Sequence, residues 1–241
     1  MKGVIHSFES LAAVDGAGLR FAVFLAGCPL RCACCHNPDT WKMEGREMEA
    51  EELVKKLARF KPYFGKDGGV TFSGGEPLLQ APFLCQVLPL LKEEGIGYVV
   101  DTSGSVPLTD SVKTVLRESQ QILLDLKFWD DASSRRYTGA DLTLPLETLS
   151  YLNEIGKGVV LRTVIIPGIN DSTEILSRYL EHLQGIACIS KYELLPFHTM
   201  GFFKYEKLGI ENPLEDLSAL PRESCDLLQA FVNQNFKNSA E

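Results

Sequence analysis

Val159-Val-Leu-Arg162-Thr-Val-Ile-Ile166 and, upstream of it, Ile122-Leu-Leu-Asp125-Leu126 are apolar almost without interruption. A strand with one wet face alternates apolar and polar residues. A continuous apolar run of this length reads instead as a strand of a parallel sheet, covered by helices on both faces. Outward from these two runs, further strands are expected at 20–26, 69–73, 97–102 and 188–195. Helical spacing separates them: Leu53, Val54, Leu57 and Phe60 within 47–60, and Phe83, Leu84, Val87, Leu88 and Leu91 within 81–94. Similar patterns occupy 108–117, 145–155, 173–183 and 222–236. Six strand–helix units are too few for a closed eight-fold barrel. The expected fold is α/β, an incomplete (β/α)6 partial TIM barrel with parallel strands. No linker, repeat or low-complexity run interrupts it, so residues 1–241 are expected to form a single domain.

Composition narrows the function classes. The net charge is −8 and no basic run occurs, which argues against nucleic acid as a partner. No apolar stretch reaches the length that spans a bilayer, and the first residues lack the apolar core of a signal peptide. Seven cysteines, four of them between residues 28 and 35, do not resemble a secreted disulfide framework. A cytoplasmic protein with reduced thiols is expected.

The crowded cysteines, Cys28-Pro-Leu-Arg-Cys32-Ala-Cys34-Cys35, follow the first parallel strand. Parallel α/β folds place their chemistry at that end of a strand. Cys28, Cys32 and Cys35 offer three thiolates where a closed metal site requires four. An iron–sulfur cluster held by three sulfurs keeps one iron open to a small molecule. The same cysteines with His36 also read as a zinc site, and from the spacing alone both readings stand.

Polar residues gather at the ends of the other strands. Ser73-Gly74-Gly75-Glu76 follows the second, with glycines that bare the backbone and a carboxylate suited to an ammonium, although such a segment is also an ordinary turn. Asp101 and Thr102 end the third strand, Asp125 and Lys127 the fourth. Asp125 stands among leucines, where an unpartnered carboxylate is costly, and so calls for Lys127, a cation or a polar ligand as its partner. Arg162 and His198 pose the same question. Singly, each is explained by a structural ion pair; together they would line one cavity.

These residues carry a resemblance. Cys28, Cys32 and Cys35 match the radical S-adenosylmethionine superfamily pattern, and Gly74-Gly75-Glu76 matches its second motif. More narrowly, the chain resembles the glycyl-radical activases of the pyruvate formate-lyase type. The matching segments are Ile5-His-Ser-Phe-Glu-Ser10, Val14-Asp-Gly-Ala-Gly-Leu-Arg20, Cys35-His-Asn-Pro-Asp-Thr-Trp41, Asp101-Thr-Ser-Gly104, Leu124-Asp-Leu-Lys127 and Leu194-Leu-Pro-Phe-His198. They stand in family order and fade after about residue 205. Trp41 leads into the first helix with no added cysteine cluster, unlike activases that carry an inserted ferredoxin-like domain.

The resemblance implies a 4Fe–4S cluster on Cys28, Cys32 and Cys35, with S-adenosylmethionine chelating the open iron. One electron, usually from flavodoxin or ferredoxin, cleaves the sulfonium to a 5′-deoxyadenosyl radical. That radical takes a glycine Cα hydrogen from a loop of pyruvate formate-lyase, a step in anaerobic glucose metabolism. Gly74, Gly75 and Glu76 would hold the methionine part. Asp101, Thr102 and Asp125 match positions around a monovalent cation, Na⁺ or K⁺, whose hardness suits oxygen ligands. Lys127, Arg162 and His198 match positions facing the nucleoside or the substrate. Asp15, His36 and Asn37 match positions near the glycine peptide. A monomer is expected.

The chain departs from the family pattern in three places. Cys34 replaces the usual aromatic beside adenine and adds a possible competing ligand, Ala17 replaces a proline and should loosen its turn, and Leu123 replaces a methionine of similar volume. Cys85, Cys188 and Cys225 read as core thiols. Two rival functions are a radical enzyme acting on a small molecule, of the carboxy-deazaguanine synthase kind, and a non-enzymatic zinc protein.

Overall fold

The computed structural model describes residues 1–12 and 16–236. The chain falls into two compact units, 1–29 with 40–123, and 30–39 with 124–241. The parallel sheet is open rather than closed into a barrel.

In the first unit, β1 (Gly3–Ala12) pairs antiparallel with β2 (Arg20–Leu25) on one side and with β3 (Arg46–Met48) on the other. Helices α1 (Ala50–Ala58) and α2 (Lys61–Phe64) follow. Then β4 (Gly69–Gly74) pairs parallel with β2, from Arg20 opposite Gly69 to Leu25 opposite Gly74. After α3 (Ala81–Glu93), β5 (Tyr98–Thr102) adds in parallel to β4, and α4 (Asp110–Glu118) follows. The apolar stripe of α3 is what the spacing predicts: Phe83, Leu84, Val87, Leu88 and Leu91 are all buried. Gly3 lets β1 lie hard against that helix, since a Cβ there would come within 2.2 Å of the Phe83 ring. The Gln80 amide fastens the neighbouring strand ends. Its Nε2 donates to Val4 O and Ala26 O, both at 2.9 Å, and its Oε1 accepts from Val4 N at 2.8 Å.

β6 (Gln121–Asp125) runs across the division between the units. The second unit continues with α5 (Asp131–Thr138), α6 (Thr143–Glu154), β7 (Val159–Ile165), α7 (Thr173–His182), β8 (Ile189–Pro196), α8 (Phe202–Leu208) and α9 (Arg222–Asn235). β7 and β8 pair in parallel, with Arg162 opposite Glu193. Asp130 caps α5 through Ser133 N, and Ser172 caps α7 through Ile175 N, each satisfying an otherwise orphaned first-turn donor.

All six expected strands are present, as β2, β4, β5, β6, β7 and β8. The antiparallel β1 and β3, and the helices α2, α5 and α8, are additions that the periodicity did not indicate.

Candidate active site

In the first unit the ends of β2, β4 and β5 are knitted together. The bareness of Gly74 and Gly75 serves the chain itself. A Cβ on Gly74 would lie 2.5 Å from both Leu25 N and Leu25 O, and one on Gly75 would lie 2.2 Å from Gly27 O. Gly75 N donates to Leu25 O at 2.9 Å and Glu76 N to Gly27 O at 2.8 Å. The motif therefore runs flush against the residues that lead into Cys28, whose own N–H donates to Trp41 O at 3.1 Å.

Glu76 is fully buried. Its Oε1 accepts from Thr102 Oγ1 at 2.6 Å and Leu78 N at 3.1 Å, and its Oε2 from Ser103 N at 2.9 Å and Ser103 Oγ at 2.6 Å. A carboxylate offers about four acceptor sites, so these donors fill it. Burial pushes the Glu76 carboxyl up from its ordinary value, against the opposing pull of Ser103, Thr102 and Leu78. The side chain expected to face a ligand's ammonium is thus turned inward, tying the end of β4 to the end of β5. Thr102 is engaged in the same knot, since its hydroxyl also accepts from Gly104 N at 2.9 Å. Asp101 accepts from Ser73 Oγ at 2.7 Å. Ser73 and Ser103 are absent from the sequence-based site; only their place beside Gly74 and Thr102 could have signalled them.

In the same unit, Arg20 is buried and organises the glycine turn expected to be loose at Ala17. Its Nη1 donates to Ala17 O at 2.9 Å, its Nη2 to Val70 O at 2.7 Å and its Nε to Thr71 Oγ1 at 2.7 Å. Asp15 lies outside the described residues.

In the second unit, Cys35 N donates to Cys32 O at 3.1 Å, closing a turn that brings the two cysteines near one another. The loop rests on the C-terminal end of α5, where Arg31 N donates to Thr138 O at 2.8 Å and Ala33 N to Tyr137 O at 2.7 Å. Cys34 packs against a cluster formed by Ala33, Phe128, Ile166, Phe197 and Leu214. Burial pushes its thiol up to about 11, against the pull of Lys127.

Asp125 joins two of the predicted residues. Its Oδ1 accepts from Arg162 Nε at 2.8 Å and its Oδ2 from Lys127 Nζ at 2.6 Å. Burial alone would raise this carboxyl, but the two cations outweigh it and hold it at about 2. Lys127 is held well above its ordinary value: burial opposes its charge, and the Asp125 carboxylate more than restores it.

His36 and His198 form a second pair, rings stacked at 3.6 Å between centroids and 14° apart. Burial and the neighbouring His198 bring His36 down to about 4, so its ring is neutral near pH 7 and its Nε2 donates to His198 O at 3.2 Å. Asn37 accepts from Lys204 Nζ at 2.7 Å. The structure thus gathers Asp125 with Lys127 and Arg162, His36 with His198, and Glu76 with Thr102.

Among the described residues no group of three or more His, Cys, Asp and Glu side chains is placed to hold a single metal ion. A cluster makes a different demand, for soft thiolate donors around several irons, and Cys28, Cys32 and Cys35 supply that chemistry. Two buried polar atoms of the second unit, His198 Nδ1 and Trp129 Nε1, have no hydrogen-bond partner among the described residues. Such orphans are rare in folded proteins. The soft donors present fit an iron–sulfur cluster.

Residues 23–180 match the model of the Radical SAM superfamily. A pyruvate formate-lyase-activating enzyme of Clostridium pasteurianum is 44% identical over 96% of this chain and 98% of its own. The chain belongs to this family. A second relative of the same name, from Staphylococcus aureus, is 41% identical over 97% of this chain and 96% of its own. Among solved structures, a domain of a pyruvate formate-lyase-activating enzyme from Bacteroides vulgatus superposes with a TM-score of 0.57 at 24% identity. It covers 70% of this chain and 94% of its own, and supports the fold. Membership in the radical SAM superfamily implies a 4Fe–4S cluster and S-adenosylmethionine as cofactors. No helix among the described residues is long and apolar enough to cross a membrane.

Proposed function

We propose that this chain activates pyruvate formate-lyase by installing a glycyl radical on it. The likeness to relatives of that name over nearly the whole of both chains carries this reading. Cys28, Cys32 and Cys35 would hold the cluster. When bound, it supplies the electron that cleaves S-adenosylmethionine to methionine and a 5′-deoxyadenosyl radical, which takes a glycine Cα hydrogen of the partner.

The chain's own residues hold, orient and exclude water. Glu76 keeps the ends of β4 and β5 together, so that backbone at Gly74 and Gly75 is fixed where the methionine part would lie. Asp125 pins the Lys127 ammonium and the Arg162 guanidinium, which keeps two cations oriented for the polar groups of the nucleoside or of the substrate loop. The neutral His36–His198 stack offers a flat, half-buried surface for the incoming glycine segment, with Asn37 beside it. Asp15 belongs with them on the likeness alone. The apolar cluster under Cys34 keeps water from this side of the loop.

The electron donor is a flavodoxin or ferredoxin. Asp101, Thr102 and Asp125 would supply oxygen ligands to Na⁺ or K⁺. The enzyme acts in the cytoplasm as a monomer. The deciding experiment is electron paramagnetic resonance on anaerobically reconstituted, reduced protein mixed with S-adenosylmethionine and pyruvate formate-lyase. A glycyl-radical doublet on the lyase is expected; turnover of S-adenosylmethionine with no such doublet refutes the partner.

A further inference from the structure

Cys35 is fixed from both sides of its own backbone. Its N–H donates to Cys32 O, and its C=O accepts from Tyr205 Oη at 3.0 Å. Tyr205 is the one buried side chain of α8, 2% exposed, and its phenol reaches 170 residues back along the chain. The contacts continue down the loop. The His36 ring stacks on His198 and donates to its carbonyl. Gly201 passes so near that a Cβ would lie 2.7 Å from His36 O and 2.9 Å from His36 Cα. Lys204 Nζ then donates to Asn37 Oδ1 at 2.7 Å and to Asp39 Oδ1 at 3.0 Å. The segment is itself anchored, with Phe197 in the apolar cluster and Phe202 packed against that cluster.

Residues 198–205 therefore grip residues 35–39 at successive positions, through groups of different chemistry: a ring stack, a bare glycine, an ammonium and a phenol. A helix of seven residues has little intrinsic stability and forms here on its tertiary contacts: Phe202 seats it on the apolar cluster, and Lys204 and Tyr205 reach the loop that carries the third cysteine.

We propose that Tyr205 and Lys204 are positioning residues, which hold the Cys35–Asp39 segment in the geometry that a three-cysteine cluster and its substrates require. The phenol occupies the Cys35 carbonyl in place of water, and solvent exposure together with hydrogen bonding around the ligating sulfurs tunes a cluster's potential. The ammonium fixes Asn37 and Asp39 with a single group. The inference rests on the radical S-adenosylmethionine reading only for its cluster readout.

The test uses the full chain carrying Tyr205→Phe, which keeps the ring and removes the donor, with Lys204→Met and Lys204→Arg beside it. Hydrogen exchange is followed by mass spectrometry, and the reconstituted cluster by its paramagnetic resonance spectrum when reduced and by its rate of loss to a chelator. Losing one hydrogen bond of ordinary net strength should speed exchange at the amides of residues 36, 37 and 39, and cluster loss, by about 3- to 10-fold. The reduced-cluster spectrum should shift in Tyr205→Phe, and Lys204→Arg should restore the protection that Lys204→Met removes. Unchanged exchange at 36–39 in both Tyr205→Phe and Lys204→Met overturns the proposal. So does a rise spread evenly over the second unit, because that is the signature of packing alone. Should Tyr205→Phe fail to fold, the Lys204 pair decides. A wild-type chain that protects 36–39 but never activates the lyase refutes the proposed partner and leaves the grip standing.

Discussion

Glu76→Gln separates two roles for the second motif. If the carboxylate faced a ligand's ammonium, the change would weaken S-adenosylmethionine binding and leave the ligand-free protein untouched. The structure directs all four acceptor sites to Thr102, Leu78 and Ser103 instead. In glutamine an NH₂ replaces one oxygen and confronts two donors. If it replaces Oε2, the Ser103 hydroxyl can rotate but the Ser103 backbone N–H is orphaned. If it replaces Oε1, Leu78 N loses its acceptor and the Thr102 hydroxyl must turn away. An orphaned buried donor costs about 1–3 kcal/mol, and bonds to a charged acceptor are worth more than neutral ones. Relief of the buried charge returns part of this, leaving a net loss of about 2 kcal/mol. In a chain of this size that lowers the thermal midpoint by about 4–8 °C. The assay is thermal unfolding by circular dichroism before cluster reconstitution, with S-adenosylmethionine titration afterwards. A midpoint within 2 °C of wild type, scaled by the same relation, accompanied by lost S-adenosylmethionine binding would refute the reasoning.

Three further outcomes follow from the site. Cys34→Ala should keep the full iron content and its charge-transfer absorbance, whereas Cys35→Ala should lose both; the reverse result would transfer the third ligand to Cys34. Asp125 is held at about 2 against an ordinary 3.8, so its contribution is complete above pH 4 and fades as pH falls through 2. Urea unfolding of wild type should lose about 2 kcal/mol across that window, and Asp125→Asn should flatten the slope. Gly75→Ala drives a Cβ into Gly27 O and should destabilise by about 2 kcal/mol while lowering iron content, because the residues displaced lead directly into Cys28; unaltered melting would show that this close approach relaxes without cost.

The parallel strands were legible because burial on both faces leaves an unmistakable mark, as in Val159–Ile165 and in Ile122–Leu124. β1 left no such mark: His6, Ser7, Glu9 and Ser10 stand at its half-wet or exposed positions, and its pairing with β2 is set by partners rather than by its own period. α5 is polar apart from Ala132 and Tyr137 and owes its ends to Asp130 and to Gly139 in the left-handed conformation. Its loop-bearing role at Tyr137 and Thr138 is invisible without the fold. The pairing of Asp125 with Lys127 and Arg162 was half legible, since a carboxylate among leucines demands a cation but does not name it. The contacts of Tyr205 and Lys204 with the cysteine loop were not legible, because nothing local distinguishes a phenol that bonds a carbonyl 170 residues away from one that faces water.

The second motif shows most clearly what residue type does and does not disclose. Bare glycines and an acid suggest a cradle for an amino acid, yet here the glycines admit Leu25 and Gly27 and the acid serves Thr102 and Ser103. Such a motif need not touch its ligand to be required by it. A radical reaction tolerates little misplacement of the atoms that exchange hydrogen, and a reactive intermediate that meets water is wasted. The framework around it has to be rigid before anything binds. Tying the strand that precedes Cys28 to β4, and β4 to β5, through contacts that exclude every other side chain achieves that rigidity without any ligand present. In the second unit the same end is reached with side chains instead of glycines, by anchoring Cys35 through Tyr205 and Lys127 through Asp125. Breaking any one of these ties by a single substitution should therefore show first in the resting protein, as lost protection or stability, and only then in turnover.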